Sequence, residues 1–305
     1  MTLSRILLAG TFLAGISAPG LAADLGQAPV ESAPVASMVP QGISGYVDLY
    51  GGLGIIDFDF EGGEYDLGLI GGAGRANIWL SPAVALQLDA WGDSTAYSLD
   101  GEDFDISYTA FGIGGHLAWR DPNRYAFGGL VSFGDAAVTR WGNIGAEGQV
   151  YFGNFTLYGQ AGYTFSIAGQ LAEVAEVADI DAWYVVGEGR FFPMPNFMLA
   201  GHLGYDDFSC NGCGGDFSAV RWGLDAEFQP GGWPVAGFLS YQGGNFDFSN
   251  TGGADIDEHV FLAGVKVLLG QDSLQENNNY GATFADHNPV YGKWNLRTIG
   301  LLASF

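Results

Sequence analysis

Twelve segments of near-alternating polar and apolar residues make up most of this chain, and the breaks between them are of two kinds. One kind is tight and often contains proline, as in residues 81–83, 121–123 and 194–196. The other is mostly longer and acidic, as in residues 57–66 and 171–181. The two kinds alternate strictly. This order of connections predicts strands that run up and down between two ends, and no fixed repeat of the solenoid or propeller type interrupts it.

Each segment carries two different faces. In 155–167, apolar Leu157 and Tyr163 share one face, whereas polar Gln160 and Thr164 share the other. A period of two indicates a β-strand between two surroundings. A transmembrane barrel turns the apolar face to lipid and a soluble β-sandwich buries it, so the period alone leaves both open. The segments cover residues 44–56, 66–80, 83–95, 105–120, 125–134, 139–152, 155–167, 181–192, 197–207, 217–229, 234–247 and 258–270.

The N-terminus predicts export. Residues 1–23 contain one positive charge, an apolar core and small residues for cleavage after Ala22 or Ala23, which is the pattern of a secretory signal peptide. Residues 24–42 are rich in Pro, Ala and Ser without a period and predict a flexible periplasmic leader. The patterned segments then occupy residues 43–270.

Composition favours the membrane. The chain is 48% hydrophobic and only 14% charged, it has 50 glycines, and 14% of its residues are aromatic. After the signal peptide no stretch reaches the ~18 apolar residues that a membrane helix needs. We therefore predict an all-β fold, an antiparallel up-and-down transmembrane β-barrel of about twelve strands. The aromatic segment ends support it: Trp79, Trp119, Phe152, Phe191 and Phe228.

These features together resemble the bacterial outer-membrane β-barrel proteins of the porin-like group. The resemblance rests on the signal peptide, on "SGYVDLYGGLG" as an opening strand, on the alternating turns and loops, and on the terminal "IGLLASF". It implies a multi-pass barrel in the outer membrane of a Gram-negative cell envelope. It also implies outer-membrane lipid, lipopolysaccharide and the barrel-insertion machinery as partners. It is compatible with an oligomer.

The C-terminal residues leave two alternatives. Residues 258–270 are a good closing strand, which makes twelve strands and leaves 271–305 as a periplasmic tail. Alternatively, 294–305 is the closing strand of a hairpin, with a partner within 276–286, which makes fourteen. Thirteen is excluded because single-chain bacterial barrels have an even strand number.

Charged residues on the inward faces are the candidate functional set. They form either a network of ion pairs that fills a small lumen or the wall of a pore with opposed charges that orient passing solutes. A twelve-stranded barrel is intermediate in width between eight-stranded barrels, whose interior is filled by side chains, and barrels of sixteen or more strands, which enclose an open channel. The width therefore allows either a filled lumen or a narrow pore. The set comprises Asp48, Arg75, Asp89, Arg120, Glu147, Glu188, Arg190, Arg221, Asp225, Glu227 and Lys266.

The longer breaks are crowded with carboxylates. The first contains Asp57, Asp59 and Glu61, and the simplest interpretation is a set of solvated loops. The alternative is a Ca²⁺ or Mg²⁺ site, or a metal bridge to lipopolysaccharide phosphates, because these ions prefer oxygen ligands. A net charge of −24 excludes nucleic acid as a partner and favours cations at a pore mouth.

Two further sets of residues are weak candidates for a chemical role. Cys210 and Cys213 lie in a glycine-rich break and predict a local disulfide. His116 and His202 fall on inward faces, and no GxSxG motif accompanies them. We therefore expect no enzyme. The primary hypothesis is a channel for passive diffusion of small polar solutes or ion transport of cations. The alternatives are a plugged structural or surface-interaction barrel and, third, an outer-membrane hydrolase.

Overall fold

The computed structural model of the protein describes residues 42–58, 63–99, 105–136, 139–167, 179–211, 216–248 and 255–289. The predicted signal peptide and leader lie outside these residues, apart from Gly42. Among the described residues, no helix is long and apolar enough to cross a bilayer.

Twelve antiparallel strands close into one barrel. Each pairs with its neighbours in sequence, and β12 pairs with β1 from Gly45–Leu269 to Phe58–Ile256. The predicted fold is confirmed and the fourteen-strand alternative is wrong, because this pairing leaves no open edge. The strands are β1 (Ile43–Phe58), β2 (Gly63–Ser81), β3 (Val84–Leu99), β4 (Asp105–Asp121), β5 (Tyr125–Ala136), β6 (Thr139–Phe152), β7 (Phe155–Ile167), β8 (Asp179–Met194), β9 (Phe197–Asn211), β10 (Phe217–Phe228), β11 (Val235–Asp247) and β12 (Ile256–Leu269), and a short helix α1 (Leu274–Tyr280) follows.

The outer face of the barrel is apolar. Leu224 and Leu239 are each 64% exposed and Phe261 is 63% exposed, whereas the residues between them in their strands are largely buried inside. The two faces predicted for 155–167 are confirmed in β7, where Gln160 and Thr164 are buried. Exposed apolar side chains all around a closed sheet are stable only against lipid, so the outer face is a lipid-facing surface.

The barrel has two unlike ends. We call the end with the connections 82–83, 122–124, 153–154, 195–196 and 229–234 the turn end, and the opposite end the loop end. Short turns are periplasmic in outer-membrane barrels.

Aromatic side chains mark the turn end, as predicted for four of five residues. Trp119, Phe152, Phe191 and Phe228 are exposed to lipid there. Trp79 differs, because its indole Nε1 donates to the carbonyl oxygen of Tyr280 at 3.1 Å and its ring therefore faces the interior. It shares its face with inward Arg75 and Asn77, which period two requires.

The loop half of the interior is mostly apolar, although buried Glu258 lies there opposite Ile56. Large side chains meet across the barrel, with the rings of Phe208 and Phe217 stacked at 4.5 Å and Phe246 beside them. We call this group the loop-side apolar layer; it comprises Ile56, Phe58, Trp141, Ile180, Phe208, Phe217, Phe246 and Ile256, each at most 6% exposed. The layer is a packed core rather than a watery lumen.

The lipid-facing surface can be tested with one charge. Leu224→Arg places a guanidinium on the outer face in the middle of β10, and we expect it to lower the free energy of unfolding in bilayers by about 2–4 kcal/mol. Denaturant titration of the refolded barrel, followed by heat-modifiable gel mobility, measures this. Trp233→Arg in a turn is the matched control and should cost about 1 kcal/mol or less. Equal, small losses would contradict a lipid-facing strand.

Candidate functional site

The charged residues predicted to point inward all lie on the interior side. Nine of them are buried: Asp48, Asp89, Arg120, Glu147, Arg190, Arg221, Asp225, Glu227 and Lys266. The side chains of Arg75 and Glu188 are 12% and 10% exposed. Their role in lining a pore stays a prediction, since their neighbours in the structure are one another and the chain's own C-terminal segment.

Ion pairs link many of these groups along the wall. Asp89 contacts Arg75 at 3.4 Å and the His116 ring at 3.2 Å, and His116 contacts Glu147 at 2.7 Å. Opposite charges at these distances offset the cost of taking each one out of water. A chain of alternating acid and base therefore crosses β2, β3, β4 and β6.

Other strands carry compact pairs. The Arg190 Nε lies 2.6 Å from Glu188, and the Lys266 Nζ lies 2.7 Å from a Glu227 oxygen. The Asp48 carboxylate accepts a hydrogen bond from the backbone N–H of Ala73 at 3.0 Å. On the β9 side, Asp225 lies 4.0 Å from the His202 ring.

Sequence reasoning missed three buried acids of the wall, Asp93, Asp206 and Glu258. Asp206 is fully buried and accepts two hydrogen bonds from Arg221, at 2.6 and 2.9 Å. The signal was available, because Asp206 lies at period two from His202 on the same strand. This bidentate pair fixes the Arg221 fork against β9.

The C-terminal segment enters the barrel from the turn end. At Gly270 the backbone has φ 74, and a Cβ there would lie 3.1 Å from the Ile43 carbonyl oxygen, so glycine makes the turn out of β12. The backbone N–H of Gln275, in α1, then donates to Pro195 at the turn end. Residues 281–289 continue into the lumen and are all buried. We call residues 271–289 the plug.

The plug corrects the expectation for residues 271–305. Residues 271–289 form neither a periplasmic tail nor a closing hairpin. Residues 281–289 lie inside the barrel, where donors of the wall hydrogen-bond to their carbonyl groups. Residues 290–305, with the predicted terminal strand, lie outside the described residues.

Arginines of the wall hold the carbonyl groups of the plug. Arg120 donates to the oxygens of Gly281 and Asn278 at 2.8 and 3.1 Å, and among the described residues it makes no ion pair with a carboxylate. Arg75 donates to the Phe284 oxygen at 2.6 Å, and Arg221 to the His287 oxygen at 2.6 Å. Hydrogen bonds from charged donors are worth about 1.5–3 kcal/mol each.

Two glutamines of the wall bind the plug as a neighbouring strand would. Gln87 donates to the Phe284 oxygen at 2.9 Å and accepts from the Phe284 N–H at 3.1 Å. Gln160 donates to the Ala285 oxygen at 2.6 Å and accepts from the His287 N–H at 2.8 Å. Each side-chain amide therefore satisfies both a carbonyl and an N–H of the plug.

The plug has one aromatic anchor. Phe284 is 1% exposed, its ring stacks on His116 at 5.8 Å, and the Arg120 guanidinium lies 5.8 Å from its centre. A buried ring between a histidine and an arginine adds apolar contact to the polar bonds. A cavity of about 70 Å³ remains beside the plug, and charged groups of both signs line it.

The remaining candidates are mostly outside the description. Asp57 is exposed at the loop end of β1, whereas Asp59 and Glu61 lie outside the described residues, so the loop metal site stays a prediction. Cys213 lies outside them too, and Cys210 is described only as a backbone position in β9. Within the described part of the chain, no cluster of metal-ligating residues forms.

Comparison with known proteins gives a fold. No protein-family model matches the sequence, and no curated protein matches it. An outer-membrane channel from Pseudomonas putida F1 has a TM-score of 0.59 and 12% identity, over 78% of this chain and 99% of that one. The translocator domain of the autotransporter NalP from Neisseria meningitidis has a TM-score of 0.50 and 11% identity, over 74% and 89%.

This protein has the fold of a bacterial outer-membrane β-barrel. With its lipid-facing surface, the twelve-stranded barrel is a multi-pass protein of the outer membrane. At identities this low the similarity shows the fold and leaves solute and activity open.

The Arg120 contacts generate a prediction about the plug. Arg120→Ala leaves the Gly281 and Asn278 carbonyls without these donors, and we expect it to weaken plug docking by about 2 kcal/mol. Hydrogen exchange of the amides of residues 281–289 should then be roughly thirtyfold faster. Arg124→Ala, at an exposed turn position 3.9 Å from Asp121, is the control and should change nothing. Unchanged exchange in Arg120→Ala would show that these bonds do not hold the plug.

The buried ring of His287 generates a second prediction. Burial lowers the pKa of His287 below its ordinary value, although Glu188 lies 3.4 Å from its Nε2 and opposes the shift. The docked plug therefore holds a neutral ring, and this stabilisation is complete above the free value of about 6.5 and lost as the pH falls through the lower docked value. Hydrogen exchange of the plug, corrected for intrinsic rates, should rise as the pH falls below about 6.5. His287→Gln should flatten this dependence, and an unchanged profile would contradict it.

Proposed function

We propose that the protein is a porin-like outer-membrane channel whose closed state is held by its own C-terminal segment. The plug carries this proposal: residues 281–289 are buried inside the barrel and bonded to its wall. They are joined to the barrel by a tether at Gly270 rather than woven into the sheet. Releasing them breaks none of the pairings between the strands.

The wall that the plug covers suits small polar solutes or cations. Its charged groups are of both signs, and buried Asp93, Asp206 and Glu258 add three acids to the predicted set. Opposed charges on a narrow wall orient a passing dipole, and an acidic excess favours cations. In this mechanism the loop-side apolar layer is a hydrophobic constriction that opens by wetting.

A plugged structural or surface-interaction barrel is the second candidate. The loop-side apolar layer favours it, since packed rings such as Phe208 and Phe217 leave the outer half of the interior filled even without the plug. Such a barrel would act through its acidic outer loops. Bound Ca²⁺ or Mg²⁺ would then bridge the loops to lipopolysaccharide phosphates.

The hydrolase alternative rests on histidines that the plug covers. His202 is 7% exposed and its ring lies 5.9 Å from that of His287, inside the barrel. A substrate would reach His202 only after the plug leaves. Loss of hydrolysis of lipid or peptide substrates in His202→Ala remains the test of this alternative.

Conductance in planar bilayers tests the channel. The intact protein should insert and remain mostly closed, whereas a chain that ends at Gly270 should give discrete, repeatable steps because the wall charges are uncovered. Reversal potentials in a salt gradient should show a weak cation preference. Arg124→Ala is the control and should stay as closed as the intact protein.

Two results would contradict this proposal. If the intact protein conducts as well as the shortened chain, the plug does not close the barrel. If the shortened chain is folded, inserted and silent, the structural barrel is the better description. Heat-modifiable mobility on gels verifies folding in each case.

A further inference from the structure

The wall contacts the plug mainly through the plug's backbone. Arg75, Gln87, Arg120, Tyr158, Gln160 and Arg221 all donate hydrogen bonds to main-chain carbonyl oxygens between Asn278 and His287. Every residue of a polypeptide offers such an oxygen, whatever its side chain. These contacts therefore depend on the backbone of the bound peptide and not on its amino-acid sequence.

Contacts to plug side chains are fewer and concentrated. Asn143 donates to the Asp286 carboxylate at 3.0 Å, and Arg190 donates to Asn278 and Thr283 at 2.9 and 2.7 Å. Phe284 fills the aromatic seat between His116 and Arg120. Three positions of the plug have no side chain or only a methyl group: Gly281, Ala282 and Ala285. Side-chain contacts of the plug thus amount to the packed ring of Phe284, the ring of His287 beside Tyr158 and Glu188, and a few hydrogen bonds.

We propose that the turn half of the lumen is a binding site for extended polypeptide, and that the plug is the intramolecular occupant of this site. The ligand class is a peptide segment in extended conformation, with small residues around one aromatic residue. The proposal goes beyond the channel, because it requires binding and no conduction.

The two glutamines distinguish a peptide from other chains of similar width. Gln87 and Gln160 each need a carbonyl and an N–H within reach of one side-chain amide, as a peptide backbone supplies. A polyether offers oxygen acceptors to the arginines, yet it has no donor for the side-chain oxygens of the glutamines. The site should therefore prefer peptide over a polyether of equal length.

Tethering sets the condition under which a second peptide can enter. An occupant joined to the barrel by a few residues has a millimolar effective concentration, so a free peptide competes poorly with the intact plug. A substitution in a side chain of the plug weakens docking of the plug and so removes its advantage over a free peptide. The residues of the wall stay unchanged. Phe284→Ser is such a substitution, because it removes the ring that stacks on His116.

The experiment uses the full chain carrying Phe284→Ser, refolded in detergent and verified by heat-modifiable mobility. The probe is a fluorescently labelled synthetic peptide with the native sequence of residues 278–289, and anisotropy measures its binding. A scrambled peptide of the same composition and a labelled polyethylene glycol of equal length are compared with it. We expect the two peptides to bind within about tenfold of each other and the polyether not to bind.

Wall variants then locate the site. Arg120→Ala in the Phe284→Ser chain should weaken binding of both peptides at least tenfold, since one guanidinium holds two carbonyls. Arg124→Ala should leave both unchanged. Ala285→Val, which enlarges a buried side chain of the plug, is a second way to weaken the plug if Phe284→Ser does not fold.

Each outcome decides the proposal. Binding of both peptides, lost in Arg120→Ala, supports it. Binding of the native peptide alone shows a sequence-specific plug seat and overturns it, as does the absence of binding by either peptide. Conductance separates this inference from the channel. If the shortened chain conducts and the Phe284→Ser chain binds no peptide, the inference alone is refuted; if the Phe284→Ser chain binds peptide and the shortened chain is silent, the channel alone is refuted.

Discussion

The need of buried guanidinium groups for hydrogen-bond acceptors determines how the interior of this barrel is packed. A cation in the middle of a bilayer-embedded protein has no bulk water to solvate it and must find acceptors in the protein. Arg221 finds a carboxylate in Asp206 and completes its bonding with the His287 carbonyl. Arg120 finds carbonyls of the plug. The position of the plug follows from this need for acceptors.

The interior is divided between two kinds of packing. In the turn half, polar side chains and a polypeptide backbone satisfy one another. In the loop half, rings and aliphatic side chains such as Trp141 and Ile256 pack without polar partners from the plug. The boundary lies where Asp286 meets Asn143 and Tyr184, which hydrogen-bond to each other. The turn half of this barrel is thus filled by hydrogen-bonded polar groups, and its loop half is filled mainly by packed apolar side chains.

Much of the fold could be predicted from the sequence, because the pattern that encodes a barrel strand is local. A period of two, with aromatic residues at one end, is readable within a dozen residues, and the inward charges follow from it. The plug could not be predicted that way. Residues 281–289 have no period, and their contacts are distant: Gln87 and Phe284 are 197 residues apart in sequence. The inward face of Trp79 follows from period two, whereas its hydrogen-bond acceptor, the carbonyl oxygen of Tyr280, belongs to that distant segment.

The turn at Gly270 has a kinetic consequence. Since the plug is attached to β12 by this glycine, a displaced plug stays within a few residues' length of the lumen. Its return is an intramolecular step whose rate does not depend on how many barrels the membrane contains. If the barrel conducts as proposed, an opening left by the departing plug is therefore brief unless something else occupies the wall. The tether would then act as a self-resealing element of the outer membrane's permeability barrier.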